Sequence, residues 1–164
     1  MTFIGQMEKA IFLGQAVGYP GTAVTNTLVD VPEDKKIELP VTEVMQMGMS
    51  TGLALQGYLP ISIFPRWNFL LLATDGIVNH LDKIPLYSGY NPKVIIRTVI
   101  GSQRPLHPQL QHVGDFTDAF KLMCKTIHIE RLDEPEQIWP AYMAALEREE
   151  SSLLVEWGDH YSEK

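Results

Sequence analysis

Residues 40 to 60 read PVTEVMQMGMSTGLALQGYLP, and the segments on either side take their meaning from this one. From about Val41 to Gln56 the spacing predicts a helix, with Gly57 as its C-terminal stop. Pro60 to Phe64 then reads as a short strand. Glu43 falls in the first helical turn, a place where the helix dipole alone favours an acid. Gly48 and Gly52 stand four apart and so share one face of the helix. Each costs roughly 0.8–1.0 kcal/mol against Ala in a helix interior, which predicts that something approaches that face closely. A helix within the monomer's own core is one candidate; a symmetry mate or a partner subunit is the other. Met45, Met47 and Met49 crowd the same helix, and flexible thioethers suit a surface that must adapt to another chain. The expectation is therefore an interface helix, with Glu43 at a subunit boundary.

Working outward, apolar runs of strand length alternate with segments of helical period. AIFLGQAV (10 to 17) is a first strand, followed by a Gly and Pro turn at Gly18 to Gly21. Trp67 to about Lys83 reads as helical, and VIIRTV (94 to 99) as an apolar strand interrupted only by Arg97. A loop rich in Gly, Pro, Gln and His runs from Gly101 to Gly114. There follow a helix near 115 to 124, a strand at Thr126 to Ile129, and a helix opening after Asp133. Asp133 as cap with Glu136 three residues on is a capping-box pattern. SLLVEW (152 to 157) closes as a strand. Strands apolar on both faces, alternating with helices, predict an α/β three-layer sandwich with a mainly parallel sheet, in one domain spanning residues 1–164. Ligands of such sheets sit beyond the carboxyl ends of the strands. The places to look are thus the Glu43 region, the turn at Phe64 to Phe69 and the Gly101 to Gly114 loop.

Composition removes several function classes. The 13 Lys and Arg face 20 Asp and Glu, for a net charge of -7, and no basic block stands out. Capture of nucleic acid or of an anionic membrane is not expected. No apolar run approaches the ~18 residues of a membrane span, and MTFIGQMEKAIFLGQ carries acid and polar residues where a signal peptide needs a clean apolar stretch. The single cysteine, Cys124, excludes an intrachain disulfide and a cysteine-only zinc site. In the run FKLMC it reads as a buried, inert thiol. A cytoplasmic protein is the simplest expectation.

The pattern PxxExxxxGxxxGxxxxGxxP, followed by FPRWNFLLLATDGIVNHLDK and later by VIIRTVIG, resembles the pyrimidine-binding domain of the transketolase superfamily. It is most similar to the β subunit of the decarboxylating component of 2-oxoacid dehydrogenases. The likeness runs from about Ala10 to Trp157, with AIFLGQAV at the family's first strand and Asp75 and Asn79 at the acid and amide of a following helix. It implies thiamine diphosphate as cofactor, which supplies a carbanion at its thiazolium carbon. By the family's pattern Glu43 is the carboxylate held against the far ring nitrogen of the aminopyrimidine, so that the pyrimidine serves as internal base. Val41 matches the apolar residue that props the cofactor in its bent form, and Phe69 the aromatic ring against the pyrimidine. Phe69 as plain core is the competing reading.

His112, in the loop QLQHVGDF, falls where the family often carries a substrate-reaching histidine, with His107 as the alternative. Arg66, after Pro65 where the family usually has a polar residue, is either a contact for an anionic substrate or a surface charge. The family holds magnesium and the diphosphate through a GDG motif on a partner domain. No GDG occurs within these 164 residues, nor does a counterpart of the family's C-terminal domain. The resemblance therefore implies a separately encoded diphosphate-binding subunit that carries the magnesium. It further implies a heterotetramer and a small-molecule substrate, with decarboxylation of a 2-oxoacid or transfer of an acyl or ketol unit as the reaction. Two rival expectations are a non-catalytic regulatory or scaffolding relative and a flavodoxin-like or Rossmann-type enzyme. The latter is a poor fit, since GQAVGYPG lacks the GxGxxG order.

Overall fold

The computed structural model describes residues 1–101 and 107–162. Six strands form one sheet: β1 (Ala10–Gly14), β2 (Lys36–Glu38), β3 (Leu59–Ile63), β4 (Ile95–Ile100), β5 (His128–Leu132) and β6 (Ser152–Trp157). Their order is β2-β1-β3-β4-β6-β5, and every pairing is parallel. The helices are α1 (Thr2–Gly5), α2 (Ala23–Asn26), α3 (Glu43–Leu55), α4 (Trp67–Leu70), α5 (Ile84–Ser88), α6 (Thr117–Met123) and α7 (Pro135–Glu147). None of the described helices is long and apolar enough to cross a membrane.

Strand side chains alternate between two apolar layers, because successive residues of a strand point to opposite faces. On β4, Ile95 packs with Val24, Tyr142 and Ala145 of the α2 and α7 side. Its neighbour Ile96 packs with Met47, Ile77 and Phe120 of the α3 and α6 side. Leu153 and Leu154 of β6 divide in the same way. The result is the expected three-layer α/β sandwich.

Arg97, which broke the apolar run of β4, faces the α7 layer. Its guanidinium meets the Glu156 carboxylate of the adjacent strand, with Nε at 3.0 Å and Nη2 at 2.8 Å, and both side chains are 2% exposed. The hydroxyls of Tyr142 and Tyr161 also donate to Glu156, so the buried charge pair is fully hydrogen-bonded.

Four local expectations are corrected. The strand β2 was not anticipated: it is three residues long at the sheet edge and carries Lys36 and Glu38. The helical segment expected over Trp67 to Lys83 changes type along its length, from α4 through a 3₁₀ turn at Leu71–Ala73 to a π-helical turn at Gly76–Leu81. The cap of α7 is Glu134 rather than Asp133, because Pro135 takes the first helical position. Gln137, not Glu136, closes the box, its Oε1 accepting from the Glu134 N–H at 2.9 Å. Finally, Met47 is fully buried rather than part of an adaptable surface.

Candidate active site at the sheet's switch point

In the sheet order the chain runs from β1 outward to β2 and then returns across β1 to β3. Such a reversal opens a crevice at the carboxyl ends of β1 and β3, where open α/β sheets bind their ligands. Gly14 ends β1 at φ +148, and a Cβ there would lie 2.1 Å from the Ile63 carbonyl oxygen. Only glycine lets β1 and β3 stay this close at the crevice.

The turn after Gly14 is clamped from β2. Ala16 adopts φ 59, and the N–H groups of Ala16, Val17 and Gly18 all donate to the Glu38 carboxylate at 2.7–2.8 Å. Three converging backbone donors form an anion-binding concavity, here filled by the chain's own carboxylate. That clamp sets the position of Gln15, whose Nε2 donates to Glu43 Oε1 at 2.9 Å. Glu43, first residue of α3, is 3% exposed. Among the described residues no Lys, Arg or His nitrogen forms an ion pair with it. A carboxylate removed from water without a counter-charge is costly, and Gln15 is its described side-chain donor. Gln15 was not singled out in the sequence; its proximity to Glu43 depends on a contact across 28 positions.

One turn further along α3 lies Gln46, 1% exposed. Its Nε2 donates to Ser62 Oγ and the Ile63 carbonyl at 3.1 and 3.0 Å, tying α3 to β3. Val41, in the segment before α3, is 66% exposed. It lies beside the buried acid in sequence but its side chain stands out from the chain's own core.

A second group assembles after β3 and β4. Phe69 and His112 have ring centroids 5.6 Å apart and tilted by 30°. His112 Nδ1 lies 2.8 Å from Asn68 Oδ1. Phe69 is half-buried and not part of either core layer. Arg66 Nη1 donates to the carbonyl of Gly101 at 3.1 Å and reaches that of His112 at 3.5 Å. Through Nη1, Arg66 thus straps the start of α4 to the following loop. Burial lowers the proton affinity of its guanidinium, and the charge of Asp159 partly restores it. His107 is exposed and its Nδ1 accepts from the Gln109 N–H at 3.0 Å. Of the two histidines, it is His112 that meets Phe69.

Away from this crevice, Gly48 and Gly52 lie on the exposed side of α3. A Cβ added to either would meet nothing within 4 Å. They floor a groove of about 390 Å³ walled by Val44, Thr51, Leu55 and Ile84. The alternative of packing within the monomer's own core is thereby overturned. Asp75, at the rim, pairs with Asn79. Among the described residues no group of three or more His, Cys, Asp or Glu side chains is placed to hold a metal ion.

No family model matches the chain. In sequence it is 38% identical over 84 residues to the mitochondrial pyruvate dehydrogenase E1 component subunit beta of Chaetomium thermophilum, a match covering 49% of this chain and 22% of that one. It is 36% identical over 93 residues to the Dictyostelium discoideum protein of the same name, covering 53% and 26%. The sequence match thus takes in about half of this chain, less than Ala10 to Trp157, and about a quarter of those relatives. In structure it superposes on a split gene transketolase solved as an inactive β4 tetramer, with a TM-score of 0.71. The two are 16% identical, over 94% of this chain and 47% of the other, and what they share is the fold. In sequence, then, about half of the chain is similar to part of the E1 β subunits, and in architecture it shares the fold of the transketolase structure.

Proposed function

We propose that this chain is the pyrimidine-binding subunit of a heteromeric thiamine-diphosphate-dependent enzyme, with residues 1–164 acting as one domain. The observation that carries the reading is Glu43: a buried carboxylate at the switch-point crevice that, among the described residues, has no ion-pair partner and accepts from the Gln15 side-chain amide. That donor set fits an aminopyrimidine, which offers ring nitrogens and an amino group to a carboxylate and presents no charge of its own. When bound, the cofactor supplies a thiazolium carbon that becomes a nucleophile toward a 2-oxo group. Glu43 shares a proton with the far pyrimidine nitrogen; Gln15 holds Oε1, and we assign the proton-sharing role to Oε2. Geometry, rather than a special acidity, is what such a step demands first. Phe69 offers a half-buried aromatic face to the pyrimidine, Val41 supports the cofactor's bend, and His112 reaches the substrate.

Magnesium and the diphosphate belong, in this proposal, to a separately encoded partner subunit. The chain's net charge of -7 supports that division, since it offers a diphosphate no electrostatic attraction of its own. The partner or a second copy covers the glycine face of α3, as in a heterotetramer. The reaction class is decarboxylation of a 2-oxoacid or transfer of an acyl or ketol unit. Calorimetry with thiamine diphosphate and magnesium tests the division: the isolated chain is expected to bind very weakly, and the chain with its partner tightly. Micromolar, magnesium-dependent binding by the isolated chain would refute it.

A further inference from the structure

We propose that Asn68 is a positioning residue for His112: it keeps the imidazole protonated at Nδ1 and so presents Nε2, with its lone pair, as a proton acceptor. This rests on the reading of His112 as the substrate-reaching group and adds to it the nitrogen and the state in which that group works.

His112 is far in sequence from α4, yet Arg66, Asn68 and Phe69 all reach it. Arg66 reaches its main-chain carbonyl at 3.5 Å, Phe69 lies against the ring with centroids 5.6 Å apart, and Asn68 meets Nδ1 at 2.8 Å. A residue restrained at its backbone, its ring face and one ring nitrogen is preorganised, which a solvated loop histidine is not.

The chemistry of the Asn68 contact then selects the protonation site. An amide oxygen carries lone pairs and no hydrogen, so a neutral imidazole at 2.8 Å is retained by donating Nδ1–H. A neutral ring has one N–H, and Nε2 is left as acceptor. An unrestrained histidine favours the opposite form, with hydrogen on Nε2, so Nδ1–H at His112 requires a partner such as Asn68 Oδ1 to select it. The partner is also neutral. His80 and His128 face the carboxylates of Asp75 and Glu130, whereas His112 faces an amide. A carboxylate there would favour the charged ring; an amide orients the ring without adding charge, which suits a group that accepts a proton.

The test is the long-range ¹H–¹⁵N spectrum of the full chain labelled in its five histidines, at about pH 9, above the ordinary histidine range. His112→Gln identifies the His112 signals by their loss. The expected result is a protonated Nδ1 and a bare Nε2 in the wild type, and a shift to mainly Nε2–H in Asn68→Leu. Asn68→Asp, which keeps an acceptor oxygen, is expected to keep Nδ1–H. A wild-type ring protonated mainly on Nε2, or an Asn68→Leu spectrum unchanged from wild type, overturns the inference. Turnover of the assembled enzyme separates it from the reading beneath it. If Asn68→Leu shifts the tautomer while His112→Gln leaves kcat/KM unchanged, the substrate role of His112 falls and the positioning by Asn68 stands. If His112→Gln lowers kcat/KM, Asn68→Leu is expected to lower it too.

Discussion

Replacing Glu156 with Gln changes one atom in a fully buried network and isolates the worth of a charge. Arg97 and Glu156 are each 2% exposed, and the carboxylate also accepts from Tyr142 and Tyr161. Burial works against the charge on Arg97, but Glu156, then the two tyrosines, hold its guanidinium well above the ordinary arginine value. Glu156→Gln keeps the shape and one acceptor oxygen while leaving that guanidinium buried and unpaired. Breaking a buried pair from one side costs about 3–5 kcal/mol, a large part of a domain's total of about 5–15 kcal/mol. At an m-value of about 2 kcal/mol/M the urea midpoint falls by about 1.5–2.5 M, followed by circular dichroism. Removing the ion pair together with both tyrosine hydroxyls, as Arg97→Met, Glu156→Leu, Tyr142→Phe and Tyr161→Phe, is expected to recover most of the loss. Apolar replacements of a buried ion pair are often neutral or stabilising. A loss below about 1 kcal/mol in Glu156→Gln would refute the reasoning, because the charge would then be reaching water in a way that its burial denies.

Two further outcomes follow from exposure and burial. Gly52→Leu places a side chain on an open helix face, so the isolated chain is expected to gain up to about 1 kcal/mol of helix stability while failing to assemble; assembly equal to wild type would place the interface elsewhere. Cys124 is 9% exposed, and burial, then the charge of Asp82, pushes its thiol up to about 11. It is expected to resist thiol reagents at neutral pH until the chain unfolds, and prompt labelling of the folded chain, read by mass spectrometry, would contradict that.

The layering was legible because β4 and β6 carry apolar residues at successive positions, the pattern of a strand covered on both faces. Glu43, Phe69 and His112 could be picked out as residues, since a resemblance in spacing carries residue types. What could not be read were the contacts between elements. Gln15 reaches Glu43 across 28 positions and Asn68 reaches His112 across 44, and neither pairing has a periodic signature. Arg97 looked like an interruption because its partner is set by the β4–β6 register. The break at Gly76 has a similar origin: a Cβ there would sit 3.1 Å from Met47 Cγ, so close packing of α3 shapes a segment whose apolar spacing reads as plain helix. The α7 cap, by contrast, was available in the sequence, since Pro135 belongs at the first helical position.

The central claim is that Glu43 moves a proton at the cofactor. Its most direct test is deuterium exchange at the reactive thiazolium carbon of thiamine diphosphate, in the enzyme assembled with the proposed diphosphate-binding partner. Glu43→Gln keeps the side chain's size and its neighbour Gln15 but removes the acid–base function. The expected result is a slowing of ~10²-fold or more, with turnover falling in parallel and the circular dichroism of the chain unchanged. Exchange at the wild-type rate in Glu43→Gln would contradict the account.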